Sequence, residues 1–394
     1  MVYRKFVIVI VLCVALIAAK AQVSSIQQTD SASYALYLSG KWKQLIVYGN
    51  QSLNNGVDFP LLHLRIAYAY FVSSDFGGAL GQYSKVLAAD PENQTARYYS
   101  FLCNKYLNRD VEASANAGYL NSEWLSTTKL NPFGLIDAGI ESSFKLTGTA
   151  YRGNGSYTRA SVSNRLGWNL QMEQSLAYYN QPIYYKNIIK QNATDILATD
   201  DRQAAYYAKF SYALNGRLVM LGAYHYLNTK YKSATYQSNI GLLGLKFNGN
   251  YVTLQGDISA GNIVKSRSTQ YDAALGIYPF GNLNLYAISR ASVQQQNNAQ
   301  TFIFNQSAGF KAFKNCWFEA SATFGKLDNY LDADGLYVYD AIDVTKYRAG
   351  SSVFYQLATH LLLQLNYTFE KKTDNERNND YNQQSITAGL QWKF

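Results

Sequence analysis

The chain has 394 residues, 48% hydrophobic and 15% charged, which excludes both a disordered polymer and a small disulfide-stapled domain. Its 35 tyrosines and 19 phenylalanines come with too few long apolar runs for a helical membrane protein and more amphipathic aromatic surface than a soluble enzyme needs, which points to strands at a membrane interface. The formal charge of +9 rests on Lys and Arg that are dispersed rather than gathered in tracts, so a nucleic-acid partner is not expected.

At the N-terminus, Arg4 and Lys5, the apolar run Phe6 to Ile17, and Ala19-Lys20-Ala21 before Gln22 have the anatomy of an export signal. Residues 1–21 are therefore expected to be cleaved, taking Arg4, Lys5 and Lys20 and lowering the formal charge from +9 to +6. Cys13 follows Leu12, without the small residue that a lipoprotein cleavage site takes, so no lipid anchor is expected. Cys103 and Cys316 remain; their spacing makes neither a zinc site nor a disulfide framework, although export would permit one bridge should they meet.

Residues 22–125 read as helical. Trp42 and Phe76 stand 34 apart, as do Leu45 and Ala79, which is the tetratricopeptide period. In the segment Leu61 to Pro91, Ala67, Tyr70, Phe76, Ala79, Tyr83, Leu87 and Pro91 occupy the small, aromatic, aromatic, Ala, aromatic, apolar and Pro places of that repeat, so the segment resembles a tetratricopeptide repeat (TPR). Small residues at a helix crossing let the backbones approach, aromatics fill the gaps beside them, and Pro ends the second helix. A weaker copy spans Ser31 to Pro60 with Gly40, Trp42 and Leu45 in register, and a third is suggested by Thr95 to Asn108 followed by Ala113. The resemblance implies a concave surface for a periplasmic protein partner, with Tyr98 and Tyr99 as candidate groove residues; a stack this short also suits a spacer.

Residues 126–394 change period. In Ser385 to Phe394, Ile386, Ala388, Leu390, Trp392 and Phe394 form one face and Ser385, Thr387, Gly389, Gln391 and Lys393 the other. The same split recurs at Phe318 to Gly325 and at Leu363 to Glu370. The segments are about ten residues or longer, the reach of a tilted membrane strand. Short turns at Asn215-Gly216-Arg217, Asn248-Gly249-Asn250, Pro279 to Asn282 and Lys314-Asn315-Cys316 alternate with polar loops expected to be long, Ile183 to Arg202, Gln294 to Ala299, Asp328 to Thr345 and Lys371 to Gln383. The expected fold is thus α plus all-β: a short helical repeat, then an antiparallel transmembrane barrel of about 14 strands with both ends in the periplasm. Tyr178, Tyr224, Tyr278, Tyr347 and Tyr367, near strand ends, suit interfacial girdles. Leu390, Trp392 and Phe394 resemble the C-terminal signal read by outer-membrane assembly machinery.

Strand phase places Glu141, Arg159, Glu173, Lys209, Asp257, Asp272, Arg290, Lys311, Glu319 and Arg348 in the lumen, together with Asp137, Lys145, Lys346, Glu370 and Lys393. Their mixed signs suit either an open channel or a filled interior. His63 falls on a repeat helix, His225 on the apparent lipid face and His360 in a periplasmic turn; none has partners placed for nucleophilic catalysis, so no catalytic, cofactor or metal residue is assigned. Asp332, Asp334 and Asp340 share one loop, a pattern that suits calcium less well than a solvated loop. The order of a TPR followed by a barrel resembles the YaiO-like outer-membrane proteins and, more distantly, the exopolysaccharide secretion porins. The resemblance implies an outer-membrane location, a non-enzymatic passage or export role for envelope polysaccharide or another solute, and periplasmic partners held by the repeat. The alternative is a non-conducting anchor whose repeat scaffolds periplasmic proteins.

Overall fold

The computed structural model describes residues 25–190, 193–340 and 342–394; the expected export signal, residues 1–21, lies outside them. The chain divides into two compact units, Met1–Lys129 and Leu130–Phe394.

The first unit is a run of helices: α1 (25–38), α2 (Trp42–Asn54), α3 (Pro60–Val72), α4 (Phe76–Ala89), α5 (Gln94–Tyr106), α6 (Asp110–Ala117) and α7 (Ser122–Thr128). Their boundaries follow local chemistry. Pro60 opens α3, where its missing N–H removes no intrahelical bond, and Asp75 caps α4 by accepting from the Gly78 N–H at 2.7 Å. Asn93 and Asn121 cap α5 and α7 in the same way. Ala67, Ala79 and Tyr83 are fully buried with Val86, Ala96 and Cys103, and Tyr70, Phe76, Leu87 and Tyr99 pack on that core. Pro91 follows the end of α4. Tyr98 lies against Trp124, with ring centroids 4.8 Å apart. Burial pushes the Cys103 thiol and the Tyr83 phenol well above their ordinary values, which keeps both neutral. Cys103 and Cys316 are both free and buried.

Ala79 is fully buried on α4 in one cluster with Ala67 of α3. Ala79→Leu should therefore overpack the crossing and lower the stability of the helical unit by about 1–3 kcal/mol. Urea unfolding followed by helical circular dichroism reads this directly, and an unchanged midpoint would contradict the tight crossing.

The second unit is one closed antiparallel barrel. Its first eleven strands are β1 (Phe133–Thr147), β2 (Gly155–Leu166), β3 (Leu170–Lys190), β4 (Ala193–Ala213), β5 (Leu218–Tyr231), β6 (Ala234–Asn248), β7 (Val252–Ile263), β8 (Ser266–Ile277), β9 (Leu285–Gln296), β10 (Ala299–Phe313) and β11 (Cys316–Leu327). After a two-stranded hairpin of β12 (Leu331–Asp332) and β13 (Tyr337–Val338), the barrel resumes with β14 (Val344–Ala358), β15 (Leu361–Asp374) and β16 (Asn379–Lys393). Fourteen strands thus form the wall, and β16 pairs with β1 from Lys393 opposite Asp137 to Gln383 opposite Thr147, which leaves no open edge.

The burial pattern is inverted relative to a water-soluble sandwich. Leu176, Leu243, Phe302, Phe324, Ile386 and Trp392 are exposed on the outside, while Ser175, Asp257, Gln270, Asp272, Gln294 and Glu370 are buried inside. Tyr178, Tyr224, Tyr347 and Tyr367 are exposed and Tyr278 is half-buried, stacked near Tyr286. Leu390, Trp392 and Phe394 all point outward, and the Phe394 N–H donates to the Ile136 carbonyl at the seam.

Three of the four expected long loops are corrected. Of Ile183 to Arg202, residues 183–190 and 193–202 are paired strand, because β3 and β4 run on for 21 residues each; Gln294 to Ala299 and Lys371 to Gln383 shrink to the two residues 297–298 and the four residues 375–378. Ladder hydrogen bonds do not require an apolar face, so pairing continues where the alternation has stopped. Only 328–343 remains a long connection.

Candidate functional site

Residues 328–340 turn into the barrel. Leu331 pairs with Val338 and Asp332 with Tyr337, and the tip at Ala333, Asp334 and Gly335 takes three successive positive φ angles of 51°, 59° and 79°. Gly335 adopts this freely, whereas Ala333 and Asp334 do so against their preference, so the turn needs outside support.

The barrel wall provides that support from many sides. The Asp334 carboxylate accepts from Gln255 Nε2 at 2.8 Å and from Arg290 at 3.1 Å, and lies 3.5 Å from Lys209 Nζ. The Tyr207 hydroxyl donates to the Asp334 carbonyl, and His225 Nδ1 to the Gly335 carbonyl at 2.8 Å. The Gln270 amide exchanges two hydrogen bonds with the Leu331 backbone, and Gln294 donates to the Asn329 carbonyl. Arg348 pairs with Asp332 at 2.8 Å, the Tyr337 hydroxyl donates to Glu141, and Thr229 donates to Asp340. Apolar contacts join in: Leu331 packs with Ile240 and Ile263, and Tyr330 with Ile303 and Leu327.

The two readings of this loop's acids are therefore both corrected. Asp332, Asp334 and Asp340 do not lie in a solvated loop, because each is held by a wall residue; nor do they form a calcium site, since among the described residues no three His, Cys, Asp or Glu are grouped to hold a metal. His225 is also corrected. It is 5% exposed and faces inward beside Tyr207. The inner face of β5 carries Val219, Leu221 and Leu227, all buried, so apolar character on that strand does not mark the lipid side. Lys346 sits at a register shift in β14 and pairs with Asp380 at the exposed surface, not in the lumen.

The other phase-assigned charges fall as follows. Glu141 takes a two-point pair from Arg159, and Glu173 pairs with Lys209 at 3.2 Å. Asp257 and Asp272 stand directly opposite on β7 and β8, with Arg290 3.7 Å from Asp257 and the Ser292 hydroxyl on Asp272. Glu319 accepts from the Tyr286 hydroxyl, and Asp137 from Ser163. Lys311 is exposed at the short-turn end, 5.0 Å from the Trp317 ring centroid.

Between the loop and the wall of β1–β5, β11 and β14–β16 remains a cavity of about 390 Å³, bordered by Lys145, Arg159, Tyr179, Gln203, Glu370, Gln383 and the loop's Tyr337. Phase could assign the charges that border it, but not the loop that shapes it. The one clue in the sequence was the strip of apolar residues on the inner face of β5 and β6, which a water-filled pore would not need.

No protein-family model matches the chain, and no curated relative does. Solved structures similar to it include the toluene transporter TodX of Pseudomonas putida, with 9% identity over 68% of this chain and 91% of that one at a TM-score of 0.47. The outer membrane protein Omp33 of Acinetobacter baumannii shares 9% identity over 66% of this chain and 99% of its own, at 0.37. A bacterial polysaccharide outer membrane secretin shares 8% identity over 65% and 98%, at 0.38. Similarity this low says nothing about cargo.

Proposed function

We propose that the chain is a porin-like protein of the bacterial outer membrane, in which the inward-folded loop narrows the barrel to a polar path for small solutes. The observation that carries this reading is the inversion of the barrel, apolar side chains outside and charged or amide side chains inside. A closed ladder satisfies every backbone group in hydrocarbon, and the shortest wall strands, at 12 residues, exceed the roughly 9–11 that a crossing needs. The outward row Leu390, Trp392 and Phe394 supports recognition by the outer-membrane assembly machinery. On this reading the helical unit is a TPR-like module in the periplasm that holds a protein partner. The YaiO-like resemblance adds envelope polysaccharide as a cargo class, which would require the loop to leave its seat.

A second reading is favoured by the loop itself, whose ion pairs reach both sides of the lumen: a non-conducting anchor whose helical unit scaffolds periplasmic proteins. Planar-bilayer recording of the refolded full chain separates the two. Small, discrete conductance steps are expected, from protein whose gel mobility changes on boiling. A silent bilayer with correctly folded barrel would reject the path and leave the anchor.

A further inference from the structure

The full border of the cavity carries five acids against four cations, but at the corner made by β14, β15, β16 and β1 the cations Lys145, Arg348 and Lys372 outnumber the carboxylates beside them. Lys145 makes no hydrogen bond or ion pair with any described residue, and the ammonium of Lys372, a residue 6% exposed, meets only the Thr345 hydroxyl at 2.9 Å. The carboxylate nearest in register, Glu370, lies opposite Arg348 and accepts from the Gln383 amide at 2.8 Å. Arg348 is itself paired with Asp332. Three cations thus face two carboxylates.

Two further groups beside them are unsatisfied. Gln383 Oε1 and Ser385 Oγ are buried without any hydrogen-bond partner, in residues only 3% and 4% exposed. Ser385 stands opposite Lys145 in the ladder, and Gln383 opposite Glu370. A buried polar atom left unpaired is costly, so two orphans beside an unpaired ammonium leave room for outside partners.

We propose that this corner of the lumen binds a small hydroxylated anion, with its carboxylate or phosphate group held by Lys145 and Lys372. Ser385 Oγ–H donates to the same group, and a ligand hydroxyl donates to Gln383 Oε1. A neutral sugar offers the hydroxyl without the charge, and a cation meets repulsion. The cavity, about 390 Å³, falls in the range of small-molecule pockets. The proposal deepens, and as a solute site rests on, the reading of the lumen as a path.

Calorimetric titration of the refolded full chain in detergent with gluconate, glucose 6-phosphate and glucose tests it. At least one of the two anions should bind and glucose should not; which anion binds more tightly distinguishes carboxylate from phosphate. Lys145→Met should weaken binding about tenfold or more, because charge-assisted bonds are the strong ones. Its ammonium holds no ion pair, so the variant should keep its heat-modifiable mobility, and Ser385→Ala provides a second, milder loss. Absence of binding by both anions, equal binding of glucose, or unchanged affinity in both variants would overturn the site. Conductance of the same preparation keeps the two claims apart: binding without conductance leaves the site and removes the path, and conductance without binding does the reverse.

Discussion

Excision of residues 329–340, with the flanks joined by a short Gly-Ser linker, should raise single-channel conductance several-fold and leave the barrel folded. The wall ladder does not use these residues, since β11 ends at Leu327 and β14 begins at Val344. What the loop provides is obstruction: its tip is bonded to Lys209, Gln255, Arg290 and His225 in the lumen, and its stem to Glu141 and Arg348. A barrel of this strand number is wide enough for a solute path once nothing fills it. The excision also removes Asp332, Asp334 and Asp340 and leaves Lys209, Arg290 and Arg348 facing water, so the reversal potential in a salt gradient should move toward anion selectivity. Unchanged conductance and selectivity in a folded variant would mean that the loop does not define the path.

Arg152→Met should destabilise the same loop from its other end by about 3–5 kcal/mol, the usual consequence of stranding a buried charge. Arg152 lies between β1 and β2 with a fully buried side chain, and its guanidinium meets Asp343 at 2.7 and 2.9 Å and Asp374 at 3.1 Å. Asp343 closes the loop stem and also accepts from the Tyr381 hydroxyl and the Asn375 N–H. Without the guanidinium, two carboxylates share a desolvated corner, Asp374 retaining only Arg377 as a counter-charge. The fork geometry matters as well as the charge, so Arg152→Lys should restore only part of the loss. The temperature at which the folded gel band disappears measures this, and protease cleavage within 329–340 reports whether the loop has come loose. A wild-type melting profile in Arg152→Met would show that the cluster is ornamental.

The wall was the most legible part of the chain, because the side-chain period of two is a local property. Whether Leu390 or Gln391 faces lipid follows from parity once the strand is known, and the last ten residues carry that parity almost without exception. Parity failed where both faces of a strand are apolar. On β5, His225 and Leu227 face inward beside a loop more than one hundred residues away, and nothing within β5 encodes that cover. It failed again in β14, where a register shift turns Lys346 to the surface. Loop lengths were misjudged for a related reason: residues 183–190 and 193–202 lose their apolar face yet keep their backbone pairing, and composition reports the first but not the second.

Sequence alone therefore determined the order of helices then strands and the fourteen-strand wall, since both depend on neighbours along the chain. Only the tertiary structure decided that the acidic loop lies inside the barrel, which wall cations it occupies, and which, as at Lys145, it leaves free. Those are pairings between residues up to two hundred positions apart, set by geometry across a closed lumen, and a linear pattern holds no record of distance across that space.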